Sequence, residues 1–150
     1  MKVYEIGIVL EGLPLVSVKY EDFRKKDIDQ VSKGALITSL LHCAENAISP
    51  VESFEGDTYS MIFKKAKMNT ARTGQSDIIF YIIIDRKKEL SKKSKKKVIE
   101  LANTILNEFT ERYNGVDTTQ TKQFKEFESF MTESLGDLDK SFTDRLKSLF

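Results

Sequence analysis

Seven apolar residues in unbroken succession, Ile78-Ile79-Phe80-Tyr81-Ile82-Ile83-Ile84, constrain this chain more than any other stretch. The run is far too short to cross a bilayer. Its many β-branched side chains, stiff at their first torsion, suit a pleated strand. With no polar alternation, neither face can be left to water, so the run reads as a central strand covered on most of both faces. Such a strand needs hydrogen-bonded neighbours on either side and apolar layers above and below.

The rest of the chain supplies both. Residues 3–10 and 15–20 are rich in Val, Ile, Leu and Tyr, and Glu11-Gly12-Leu13-Pro14 separates them as a hairpin turn. Pro14 is tolerable at the edge of the second run and would not be in mid-strand. Val51–Glu55 and Thr58–Lys65 flank Gly56-Asp57 as a second hairpin. In the latter strand Tyr59, Met61 and Phe63 alternate with Thr58, Ser60 and Ile62, which predicts one wetter face. Residues 66–76 are mostly polar and read as a loop leading to the Ile78–Ile84 run.

Helical periodicity fills the gaps between the strands. After the charged stretch Glu21–Lys26, Asp27 is a suitable N-cap with Gln30 three residues on. Ile28, Val31, Ala35, Leu36, Leu40, Cys43, Ala44, Ala47 and Ile48 then recur at three- and four-residue steps, and Ser49-Pro50 ends the helix. Val98, Leu101, Ala102, Ile105, Leu106, Phe109 and Tyr113 mark another helix that stops at Asn114-Gly115. Beyond a polar connector, Phe124, Phe127, Met131, Leu135, Leu138, Phe142, Leu146 and Leu149 continue the spacing, with Gly136-Asp137 as a point where the segment can divide. The element order is therefore β-β-α-β-β-β-α plus a C-terminal amphipathic segment. This is an α+β chain with a core over residues 1–115 and a helical extension over 116–150 that packs on the core or on a partner.

At 150 residues, one domain with an ordinary hydrophobic core is expected. A net charge of +1 gives no whole-molecule attraction to nucleic acid, but the charge is unevenly placed. Residues 86–97 carry eight Lys/Arg against the single acid Glu89. The lone Cys43 excludes an internal disulfide and suits a reducing compartment. Glu5 stands too early for a signal peptide. The expected setting is cytoplasmic, at most peripheral to membranes.

Several stretches resemble the longin domain of the longin/roadblock superfamily. Ile8-Val9-Leu10-Glu11-Gly12-Leu13-Pro14-Leu15 is similar to that family's first hairpin, and Lys33-Gly34-Ala35-Leu36-Ile37-Thr38-Ser39-Leu40-Leu41 to the start of its first helix. Phe54-Glu55-Gly56-Asp57-Thr58-Tyr59-Ser60-Met61-Ile62-Phe63 resembles its third and fourth strands. The texture looks closest to stand-alone longin-like proteins of archaea. The resemblance covers residues 1–113, with a third helix over about 121–135. It implies a five-stranded antiparallel sheet with the 27–49 helix on one face and the 91–113 helix on the other. It also implies a non-catalytic platform that dimerises or binds small GTPases in vesicle trafficking, although fold does not choose among such roles. Unlike SNARE-type longins, the chain shows neither a long coiled-coil segment nor a membrane anchor.

No constellation points to chemistry. His42 is the sole histidine, and its neighbour Cys43 cannot face it from an adjacent helical position. Neither metal-ligand spacings nor phosphate-binding glycine loops occur, so no cofactor or metal is expected. Two binding readings remain. In the first, the sheet edge and the first helix contact a small GTPase, a longin/roadblock-type protein or a second copy of the chain, with Leu36, Leu40 and Cys43 packing beside the contact. In the second, Lys92, Lys93, Lys95, Lys96 and Lys97 meet an anionic membrane. The cluster also reads simply as a solvated helix start. Aromatic residues are not interleaved with it, which disfavours nucleic acid.

Overall fold

In a computed structural model the chain is described over residues 3–11, 13–20, 51–55, 59–72, 74–85 and 91–136. These hold β1 (Val3–Leu10), β2 (Leu13–Lys19), β3 (Val51–Glu55), β4 (Tyr59–Thr70), β5 (Gly74–Asp85) and helix α1 (Lys92–Tyr113). A short 3-10 turn, Thr121–Phe124, and a closing helix over 127–136 follow. The helix expected over 27–49, with Leu36, Leu40 and Cys43, lies outside the described residues, as does the tail over 137–150.

The strands form one antiparallel sheet in the order β2-β1-β5-β4-β3. β5 lies between β1 and β4, and every residue from Ile78 to Ile84 is buried. Both faces of the centre are covered, as the missing alternation requires. On one face Ile6, Ile8, Ile62, Phe80 and Ile82 join Val98, Ile105 and Phe109 of α1 in a single cluster. On the other, Tyr4, Val9, Met61, Phe63, Ile79, Tyr81 and Ile83 form a second buried cluster.

Two strand expectations are corrected. Residues 66–76 are not a loop: β4 runs on to Thr70, β5 begins at Gly74, and the ladder pairs Ala66 with Ile78 through to Thr70 with Gly74. Met68, 1% exposed, anchors this extension to the α1 face, and Lys67 Nζ lies 3.8 Å from Asp77 Oδ1 across the strands. Nor does β4 have a wet face near its start. Ser60 and Ile62 are buried along with Met61 and Phe63, because Ile62 points into the cluster that α1 closes.

Ser91 caps α1, its hydroxyl accepting from the Ser94 N–H at 3.1 Å, as an N-cap serine should. The helix buries Val98, Leu101, Ala102, Ile105, Leu106, Phe109 and Tyr113. It ends at Asn114, and Gly115 takes a positive φ of 83°. That end is tied to the β4–β5 hairpin. The Gly115 N–H donates to the Asn69 carbonyl, the Asn69 N–H to Asn114 Oδ1, and the Ala71 N–H to the Val116 carbonyl.

Beyond it, Phe124, Phe127, Met131 and Leu135 are buried in the same cluster as α1. Phe127 meets Phe109 edge-on with centroids 5.1 Å apart and stacks on Phe130 at 5.3 Å. The Arg112 guanidinium sits over both rings, 5.4 Å from Phe127 and 5.2 Å from Phe130. The Tyr20 hydroxyl lies 3.1 Å from Thr132 Oγ1, holding the closing helix beside β2.

Candidate functional site

β2 is an edge strand, and its construction singles it out. Pro14 is accommodated because the strand bulges there: Ile8 pairs with Val16 and Val9 with Pro14, leaving Leu15 as the extra residue. The Tyr20 N–H donates to the Tyr4 carbonyl at 2.8 Å, so Tyr20, Val18 and Val16 turn their backbone groups toward β1. By the same alternation the amides of Ser17 and Lys19 point away from the sheet. Among the described residues no strand pairs with that side.

A shallow groove of about 260 Å³ runs along this edge. Its floor is the β2 stretch from Pro14 to Ser17, and its wall carries Lys122, Lys125 and Glu128. The 3-10 turn forms that wall because Phe124 is buried between the flanking lysines, which leaves both of them exposed. Neither lysine has an ion-pair partner among the described residues. At the start of β2, Leu13 is 46% exposed, the one large hydrophobic side chain so exposed among the described residues.

The basic start of α1 is a second surface. Lys92, Lys93 and Lys96 are exposed on the side of the helix away from its buried stripe. Lys95 and Lys97 are half-buried on its flanks, and each has a partner. The five lysines named from the sequence thus divide into three that look outward and two that are half-buried. No acid occupies the first turn, so the lysines there oppose the helix dipole.

A polar pair lies within the sheet. The Tyr81 hydroxyl donates to Glu5 Oε2 at 2.6 Å, with both residues buried. Burial pushes the Tyr81 phenol well above its ordinary range, and the charge and hydrogen bond of Glu5 add to that. This pair positions side chains and does not open onto the groove. Among the described residues no group of three or more His, Cys, Asp or Glu side chains gathers to hold a metal, and no helix is long and apolar enough to cross a membrane.

Sequence reasoning named the sheet edge but missed Leu13, Ser17, Lys122 and Lys125 as its residues. Pro14 was the available signal for the edge. The wall had none, because it forms only when the 3-10 turn docks against β2. No family model matches the chain, and no curated protein matches it either.

Proposed function

We propose that this chain is a non-catalytic, longin-like adaptor of the trafficking type, binding a small GTPase or another longin/roadblock-type subunit. The observation that carries the reading is the outer edge of β2, where Leu13 is exposed and the Ser17 and Lys19 backbone groups face away from the sheet. An exposed strand edge is a template for pairing with another chain. Supporting it is the antiparallel sheet with α1 packed on one face. Leu36, Leu40 and Cys43 would pack beside such a contact and carry no chemistry.

The test is affinity capture from native lysate with GDP and with a non-hydrolysable GTP analogue. A small GTPase or a longin/roadblock chain, retained in one nucleotide state over the other, is the expected result. An eluate with neither, at low and at moderate salt, rejects the adaptor.

The outward trio Lys92, Lys93 and Lys96 favours a second reading, transient contact with an anionic membrane. Each lysine contributes about 1 kcal/mol near such a surface. Changing all three to Glu places acids in and next to the first helical turn, which the dipole favours, so the fold should survive. Sedimentation with phosphatidylserine vesicles should then be lost, and unchanged sedimentation rejects this reading.

A further inference from the structure

The groove along β2 has a chemistry of its own, and from it we infer that the edge takes an extended, acidic segment of another polypeptide as an added strand. The inference rests on the adaptor reading and specifies what its edge recognises. A strand laid against β2 would pair with the outward amides of Ser17 and Lys19. Its side chains on the α1 side would meet the wall at Lys122 and Lys125, and Lys19 is exposed at the far end of the edge.

Charge decides the occupant. Lys122 and Lys125 are exposed beside the groove and have no acidic partner among the described residues. Glu128 is half-buried further along the wall, and Glu11 lies at the opposite end, by the turn. An acidic side chain set between the two lysines gains two favourable contacts, whereas a basic one is repelled there. Leu13, exposed at the start of β2, offers a matching apolar contact for one hydrophobic residue of the incoming strand. A second copy of β2 fits less well, since it would bring its own Lys19 and lysine wall against this one. At about 260 Å³, open to solvent, the groove is smaller than a typical small-molecule pocket and suits a row of side chains.

The test is titration of the full chain with a fluorescent nonapeptide, Ser-Glu-Val-Glu-Val-Asp-Ile-Glu-Leu, and with its counterpart carrying Lys at every acidic position. The acidic peptide should bind, weaken at least tenfold between 50 and 300 mM salt, and protect the Ser17 and Lys19 amides from hydrogen exchange. The lysine counterpart should not bind. Lys122→Glu with Lys125→Glu should reduce affinity at least tenfold. Ser17→Pro, which removes an outward N–H and leaves the β1 ladder intact, should abolish binding. Circular dichroism of both variants checks that they fold.

Equal binding of both peptides, or binding unaffected by these variants, overturns the inference. So does protection of the same two amides by raising protein concentration alone, which would identify a second copy as the occupant. If the peptide fails while lysate capture still yields a GTPase or longin/roadblock chain, the acidic strand is wrong and the adaptor stands. If capture also fails, both fall.

Discussion

Tyr81 lies across Gly7. The two are register partners on β5 and β1, and a Cβ on residue 7 would stand 2.5 Å from the Tyr81 hydroxyl oxygen and 2.6 Å from two ring carbons. Only a residue without a side chain lets the ring lie flat over β1. Lying there, the ring delivers its hydroxyl to Glu5, two residues earlier on the same face, at 2.6 Å. Gly7, Tyr81 and Glu5 therefore form one unit in which a missing side chain makes room for a buried hydrogen bond.

Gly7→Ala should destabilise the protein by about 2–4 kcal/mol, combining overpacking with loss or distortion of the buried hydrogen bond. The Tyr81 ring is 3% exposed and has no solvent to retreat into. In a Tyr81→Leu background the same substitution should cost far less. Urea denaturation of the two single variants and the double variant measures the coupling. Strictly additive costs would show that the two side chains do not meet.

Tyr81 also gives the protein an alkaline signature. Its phenol is held neutral in the fold, first by burial and then by Glu5, while in the unfolded chain it ionises near the ordinary value of 10.0. The folded pKa is the higher one, so the associated stability is complete below pH 10 and is lost as pH rises above it. Tyr81→Phe removes the proton and lacks this loss. Wild type should lead the variant by about 1–3 kcal/mol at neutral pH. That lead should shrink by about 1.4 kcal/mol per pH unit above pH 10. Urea midpoints of the two proteins at pH 8, 10 and 11 test it, and a constant gap would count against the buried phenol.

What the sequence reveals here depends on whether a residue's role is local. Ile78–Ile84 announces a central strand because its local apolar pattern alone carries the message. The α1 stripe and its Asn114-Gly115 stop are legible for the same reason. The stretch from Ala66 to Ser76 is not, since most of its residues are polar or small, and among those described Met68 is the one large apolar side chain that is buried. Its ladder is set by register with β5, which no single segment encodes. Gly7 gave no sign of its task, because the ring that needs the space comes from a distant strand. Lys122 and Lys125 became a wall only through the docking of Phe124, and Pro14 marked the edge but not what lies against it.

The closing helix should prove to be held by aromatic packing. Phe127 is fully buried, packs against Phe109 at 5.1 Å and Tyr113 at 6.0 Å, and lies under Arg112. Phe127→Ala should cost about 3–5 kcal/mol. Phe130→Ala, at a half-buried position beside it, should cost clearly less. Equal effects in thermal unfolding would mean that the 127–136 segment does not pack as described.

The β4–β5 hairpin and the end of α1 should resist exchange together. The Gly115 N–H meets the Asn69 carbonyl at 2.7 Å, and a φ of 83° at Gly115, a left-handed conformation that a side chain disfavours, directs the chain onward to Val116. Space is not the obstacle, since nothing stands within 4 Å of a Cβ there. Gly115→Ala should therefore cost about 1–2 kcal/mol through backbone strain alone. Because that strain loosens the shared hydrogen bonds, the Ala71 N–H, held by Val116 at 3.1 Å, should exchange faster in the variant. In the native protein the amides of Asn69, Ala71 and Gly115 should all be protected well beyond coil rates. Coil-like exchange at Asn69 and Ala71 would return residues 66–76 to the polar loop that their composition suggests.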